Sequence, residues 1–420
     1  MNSHGRHGSP TPHAGIGGGP RQRHLRVNLN GAGWRHLKRG KGGGPCVPWI
    51  PWPLRFVGSV AIGLTAIVAL ACGPAGQRGQ EPAGGIHGVV AAATPEATAA
   101  GVTILEAGGN AVDAAVAVQF ALAVSEPAMS GLGGGSQMLI HPPDTLPVIV
   151  NGTSFAPHAT PRSATEADLR GHRATTVPTT VRTMAYAWQH FGSGNVTWGQ
   201  LLQPAIRLAE NGFIVGPFRH KVWRRHVEEL RADSVVAALF LTEEREVPAE
   251  GSVFRQPVLA ETLRRLARDG PEDFYTGAIA REIAADMAAH GGWVTLDDLR
   301  DLPDPRVLPP LHGSYRGWDV YTSAPPGSGW VVLQILNVLE QSPPSRLALN
   351  SPDRIPTLAA ALLIGHSSRR DEPITDLVDY QPEAAERIDK ETAVRLLRER
   401  ESGETTHFTV VDEDGMTVAV

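Results

Sequence analysis

The chain has 420 residues, 42% of them hydrophobic, and a formal net charge of −5. That is ample length and apolar content for a large folded core. With Cys46 and Cys72 as its only cysteines, a scaffold stapled by disulfides is excluded. The charge is unevenly placed: residues 1–55 hold nine Lys or Arg and no Asp or Glu, so the remainder carries −14.

Residues 1–55 are rich in Gly, His and Arg without periodicity. They read as a disordered extension, or as one lying upstream of the true start. The second reading rests on basic residues that are nearly all Arg (Lys38, Lys41, Lys221 and Lys390 are the lysines), alongside 46 Gly and 34 Pro, as GC-rich coding gives. His4, His7, His13, His24 and His36 are too irregularly spaced for a metal tract. The basic run could contact nucleic acid, but it is better explained as the n-region of an export signal. An uncharged apolar stretch, Phe56 to Ala71, follows it, shorter than the roughly 20 residues of an ordinary spanning helix. Ala69-Leu70-Ala71-Cys72-Gly73 resembles a bacterial lipobox, with Ala69 where leucine is usual. Segment 56–72 is thus expected to direct export to the cell envelope or periplasm, with Cys72 as lipid attachment point. Simple cleavage, a signal anchor and an incidental thiol are the alternatives. Residues 73–85 are a Gly/Gln/Pro-rich tether.

From residue 86 helical patterns alternate with short strands. Helices are predicted over Glu96 to Ala107, Ala111 to Val124, Thr180 to Phe191, Trp198 to Asn211, Pro257 to Asp269, Ala278 to His290 and Val331 to Leu339. Strands are predicted at Val89 to Ala92, Met138 to Ile140, Pro147 to Val150, Asp319 to Tyr321 and His407 to Val411. Asn110 is placed to cap its helix. Gly131, Gly133, Gly134 and Gly135 permit positive φ and close backbone approach. No Gly-Lys-Ser/Thr follows these glycines and the next element reads as strand, which argues against a phosphate loop. Pro373 to Arg400 reads as a charged, mobile, helical connector whose acids are solvated faces rather than metal ligands.

Several blocks carry a resemblance. Gly108-Gly109-Asn110-Ala111-Val112-Asp113-Ala114-Ala115 leads to Ser130-Gly131-Leu132-Gly133-Gly134-Gly135. Pro204 to Phe213, Gly270 to Gly277, Gly291 to Leu299, and Pro325-Pro326-Gly327-Ser328-Gly329 running into Leu333 to Glu340 follow in order. Glu404-Thr405-Thr406-His407 then opens a β-branched run. Together, from about Ile86 to Val420, they resemble the gamma-glutamyltranspeptidases. The resemblance implies an α+β, four-layer αββα N-terminal-nucleophile hydrolase fold with a large subunit over 86–404. Residues 405–420 would begin the small subunit, most of which is missing. It implies a zymogen that cuts itself at Glu404–Thr405 and needs no metal or organic cofactor. A hydroxyl needs an adjacent base to become a nucleophile. The freed α-amine of Thr405, with an ordinary pKa of about 7.7–8.0, supplies one.

Departures bear on the substrate. The family's arginine, three residues before an Ala-Pro pair, grips the substrate carboxylate, and Thr153 occupies that position before Ala156-Pro157. A hydroxyl cannot replace a bidentate guanidinium. Thr176-Val177-Pro178-Thr179 lacks both glycines of a Gly-x-Pro-Gly turn, and Trp330 stands where a second glycine is expected after Gly329. The expected partners are a γ-glutamyl or related amide, the protein's own small subunit and the membrane, with no nucleic acid. The alternatives are an amidohydrolase or acylase with another acyl group, and a non-catalytic fragment. The strand from His407 to Val411 is expected to find its neighbours only beyond Val420, leaving the chain as written inactive and poorly cleaved.

Overall fold

The computed structural model describes residues 84–85, 88–401, 409–411 and 416–419. The domain opens with two helices fixed by their caps. α1 (Pro95–Glu106) starts at Thr94, whose hydroxyl accepts from the Ala97 N–H, with proline at its first position. α2 (Ala111–Ser125) starts at Asn110, as predicted. The Asn110 side chain accepts from the N–H groups of Val112 and Asp113, and Asp113 returns a bond to the Asn110 N–H. The strand predicted over Val89 to Ala92 is reduced to Gly88–Val89. Val90 turns instead onto α1, so close that a Cβ on Gly101 would lie 2.8 Å from it.

β1 (Ser136–Ile140) and β2 (Val148–Gly152) pair antiparallel. α3 (Thr180–Phe191), α4 (Trp198–Asn211) and α5 (Pro257–Asp269) fall on their predicted bounds. α4 begins at a Thr197/Gln200 capping box, and α4 and α5 end at glycines with positive φ, Gly212 and Gly270. The main core joins α2, α4 and α5 through Val116, Phe120, Leu201, Leu202, Leu263 and Leu266. Phe120 meets Trp198 edge-on at 5.4 Å. Each such buried side chain contributes about 1.5–3 kcal/mol. α6 (Ala278–Ala289) and α7 (Leu296–Arg300) follow.

β3 (Arg306–Leu308) then adds to the other edge of β2, giving the sheet order β1-β2-β3. One face of this sheet carries Ile140 and Val150 against Val112 and Ala187 of α2 and α3. On the other face Ile149 packs with Ala324, Trp330 and Tyr380. β4 (Leu311–Tyr315) and β5 (Trp318–Thr322) form a hairpin, and α8 (Gly329–Glu340) and α9 (Arg354–Asp371) come next.

The connector is α10 (Gln381–Arg387) and α11 (Lys390–Glu401). It is docked rather than loose. Tyr380, Ala384 and Ala393 are buried, and α8 donates from Gln334 to the Arg387 carbonyl and from Asn337 to the Ile388 carbonyl. A second correction concerns the last predicted strand. β6 (Thr409–Val411) pairs antiparallel with β7 (Thr417–Ala419), so it has a partner within this chain. His407 and Phe408 lie outside the described residues. Among the described residues no helix is long and apolar enough to cross a membrane.

Candidate functional site

Alternation along β1 and β2 places Gln137 and Asn151 side by side, as a directly paired couple on the face that holds Ile149. Thr153, two residues beyond Asn151, joins them. Asn151 Oδ1 accepts from the Thr153 hydroxyl at 2.5 Å, the Thr153 N–H at 3.3 Å and Gln137 Nε2 at 3.0 Å. Gln137 Nε2 also faces Thr153 Oγ1 at 3.3 Å and the Ala324 carbonyl at 3.4 Å. The position of the expected arginine is therefore filled by a neutral, internally bonded cluster. Asn151 Nδ2 makes no hydrogen bond among the described residues.

The third strand brings a charge to the same row, because Arg306 of β3 pairs directly with Asn151. Its side chain is exposed and makes no hydrogen bond or ion pair among the described residues. Its field reaches Tyr380: burial pushes that phenol up, and Arg306 opposes the shift.

None of Gly131, Gly133, Gly134 and Gly135 adopts a positive φ, and close backbone approach in this turn is found at Gly135. A Cβ on Gly135 would lie 2.8 Å from the Ser154 nitrogen. The Gly134 carbonyl accepts from the N–H groups of Thr179 and Thr180 at 2.9 and 3.0 Å, while the Thr179 hydroxyl donates to the Gly152 carbonyl. Thr179 has φ −115, so the glycine missing there is not needed. Trp330 is buried in the first turn of α8, with the Arg387 guanidinium 6.0 Å over its ring.

Glu404, Thr405 and Cys72 lie outside the described residues. Sequence reasoning placed Thr153 here but missed Gln137, Asn151 and Arg306. The alternation of β1 and β2 carried the first two, whereas Arg306 depends on a long-range pairing. One grouping of metal-ligand types occurs among the described residues, at His172, Asp286 and His290. Its donors are engaged with one another: His172 Nε2 lies 3.0 Å from Asp286 Oδ2, and His290 Nδ1 lies 3.2 Å from Asp286 Oδ1.

A family model described as gamma-glutamyltranspeptidase matches residues 97–420. The chain belongs to the gamma-glutamyltranspeptidase family. It is 32% identical to the glutathione hydrolase proenzyme of Escherichia coli K12, over 80% of this chain and 62% of that protein. It is 34% identical to the acylase ACY 1 proenzyme of Pseudomonas sp. SE83, over 81% of this chain and 66% of the relative. The chain thus spans less than two thirds of the length of these relatives. The crystal structure of Helicobacter pylori gamma-glutamyltranspeptidase superposes with a TM-score of 0.69 at 29% identity, covering 77% of this chain and 94% of that one. The fold is the α+β N-terminal-nucleophile fold of this family, with part of its four-layer sandwich among the described residues.

Proposed function

We propose that this chain is the large-subunit part, with the start of the small subunit, of an exported zymogen that transfers or hydrolyses γ-glutamyl-type acyl groups. The observation that carries the reading is the family match over residues 97–420, which runs through Thr405. In maturation the Thr405 hydroxyl attacks the Glu404 carbonyl carbon and the acyl group moves from nitrogen to oxygen. That shift frees the Thr405 α-amine, and water then cleaves the ester, releasing the Glu404 carboxylate and restoring the Thr405 hydroxyl. In turnover this amine takes the hydroxyl proton as the oxygen attacks the substrate amide, and the departing amine receives the proton. Water or a second amine resolves the acyl-enzyme. The chemistry asks nothing of a metal or organic cofactor.

The test is the full-length gene product. It should split at Glu404–Thr405, with N-terminal sequencing reading Thr405, and release nitroaniline from γ-glutamyl p-nitroanilide. Thr405→Ala should abolish both. An uncleaved protein that never turns over an amide would leave the non-catalytic reading.

A second reading is an acylase of the same mechanism with another acyl group. The neutral cluster at Thr153 favours it, and the acylase relative fits it. Export is part of the proposal: cleavage before Cys72 with lipid on its thiol is expected, and an intact Met1 on the cellular protein would rule it out. The expected partners remain the amide substrate, the small subunit and the membrane surface.

A further inference from the structure

We propose that Arg306, with the free amide of Asn151, forms a carboxylate-binding pair that replaces the arginine absent at Thr153. The inference rests on the acyl-transfer reading and narrows its substrate to acyl donors carrying a carboxylate remote from the scissile amide.

Three observations converge. Asn151 and Arg306 are directly paired across β2 and β3, so their side chains leave the same face with Cβ atoms about 4.5–5.5 Å apart. Thr153 is the diagonal neighbour of Arg306, at roughly 7–8 Å, within reach of a long side chain. A guanidinium rooted at 306 can therefore serve the region that one rooted at 153 would serve.

The second observation is availability. Arg306 makes no ion pair among the described residues, whereas Arg182, on α3 near the end of this row, is taken by Glu272 and Asp304. The third is the orientation of Asn151. Its oxygen accepts from Thr153 and Gln137, which holds the amide in one rotamer and leaves Nδ2 as an uncommitted donor. A carboxylate placed there meets a fixed neutral donor and an adjacent cation, the charge-assisted arrangement that recognises carboxylates well. Thr153 then serves to orient Asn151.

The experiment compares the processed full-length protein with Arg306→Gln and Arg306→Lys. The substrates are γ-glutamyl p-nitroanilide and its 4-aminobutanoyl analogue, which lacks the α-carboxylate. The preference for the γ-glutamyl substrate in kcat/KM should fall at least tenfold in Arg306→Gln, chiefly through KM, and less in Arg306→Lys. Adding Thr153→Arg to Arg306→Gln should restore part of it. Calorimetric titration with glutarate reads the same site without turnover, and Arg306→Gln should weaken that binding at least tenfold. An unchanged substrate preference together with unchanged glutarate affinity in a folded Arg306→Gln protein would overturn the proposal. If the unmodified protein hydrolyses neither anilide, the γ-glutamyl reading falls, and the glutarate titration still decides for or against the anion site.

Discussion

Asp298, at the start of α7, holds His158 from 140 residues away: its Oδ1 accepts from the His158 N–H at 2.9 Å and meets the imidazole Nδ1 at 2.5 Å. Oδ2 meanwhile takes the N–H and hydroxyl of Thr295. This buried carboxylate ties the segment following Thr153 to the rest of the domain. Burial alone would push its pKa up, but the bonds from His158 and Thr295 outweigh that and hold it below the ordinary value. A depressed carboxylate contributes stability that is fully present above its unfolded pKa, about 3.9, and is lost as pH falls through the folded value. Asp298→Ala should cost about 1–3 kcal/mol for each buried N–H left unpaired. In urea melts, the gap to the unmodified protein should be present at neutral pH and narrow below about pH 4. A gap that widens in acid would contradict this account.

The Asn110–Asp113 block is a structural staple. Asp113 Oδ2 accepts from the Asn110 and Ser193 N–H groups, and Asn110 Nδ2 donates to the Phe191 carbonyl, joining the start of α2 to the end of α3. Asp113→Ala removes two acceptor contacts at a fully buried site, the capping bond from Asn110 and the bond from Ser193. A loss of about 1–3 kcal/mol is expected, with cleavage and KM unchanged in protein that remains folded. A selective change in KM with no loss of stability would assign the block a role in the site instead.

Where local chemistry marks an element at both ends, the sequence was readable. α4 shows this, with its Thr197/Gln200 box and Gly212, as does α5 between Pro257 and Gly270. The β4–β5 hairpin was half seen. Its second strand is predicted at Asp319 to Tyr321, but the turn before it is not: Arg316 and Gly317 both have positive φ and form the two-residue turn that pairs Tyr315 with Trp318. β4 itself was missed because Gly313 and Ser314 interrupt its alternation. α9 was missed because its apolar residues form no single stripe. Thr153 was found from its spacing to Ala156-Pro157, whereas Arg306 needed a pairing between strands more than 150 residues apart. Such pairings leave no local trace.

Trp330 offers a test of whether a departure from the family is a defect or an adjustment. Its ring fills the space among Ile149, Ala324 and Tyr380. Restoring the family residue by Trp330→Gly should therefore destabilise the protein. Removing a buried tryptophan costs about 3–5 kcal/mol, and glycine in a helix adds up to about 1 kcal/mol. A thermal melt of the variant should show a large fall, and a gain in stability would mean that the surrounding core is not packed on this ring.

Gly152 ends β2 one residue before Thr153, and there the chain lies hard against α3. A Cβ on Gly152 would overlap the Thr183 hydroxyl and sit 2.8 Å from its Cβ and 2.9 Å from its Cγ2. Thr183 cannot swing away freely, since it is fully buried and its hydroxyl donates to the Thr179 carbonyl at 2.8 Å. Gly152→Ala should therefore push β2 off α3, at the 1–3 kcal/mol typical of overpacking, roughly. The displacement would carry Asn151 and Thr153 with it, so KM for a carboxylate-bearing anilide should rise along with the loss of stability. Thr183→Ala removes the hydroxyl and Cγ2 but leaves the contact at Cβ. The double variant should recover part of the stability and part of the KM, giving a coupling between the two positions of the size seen for residues in contact, about 0.5–3 kcal/mol. Strictly additive effects would show that α3 does not set the position of β2 at this end.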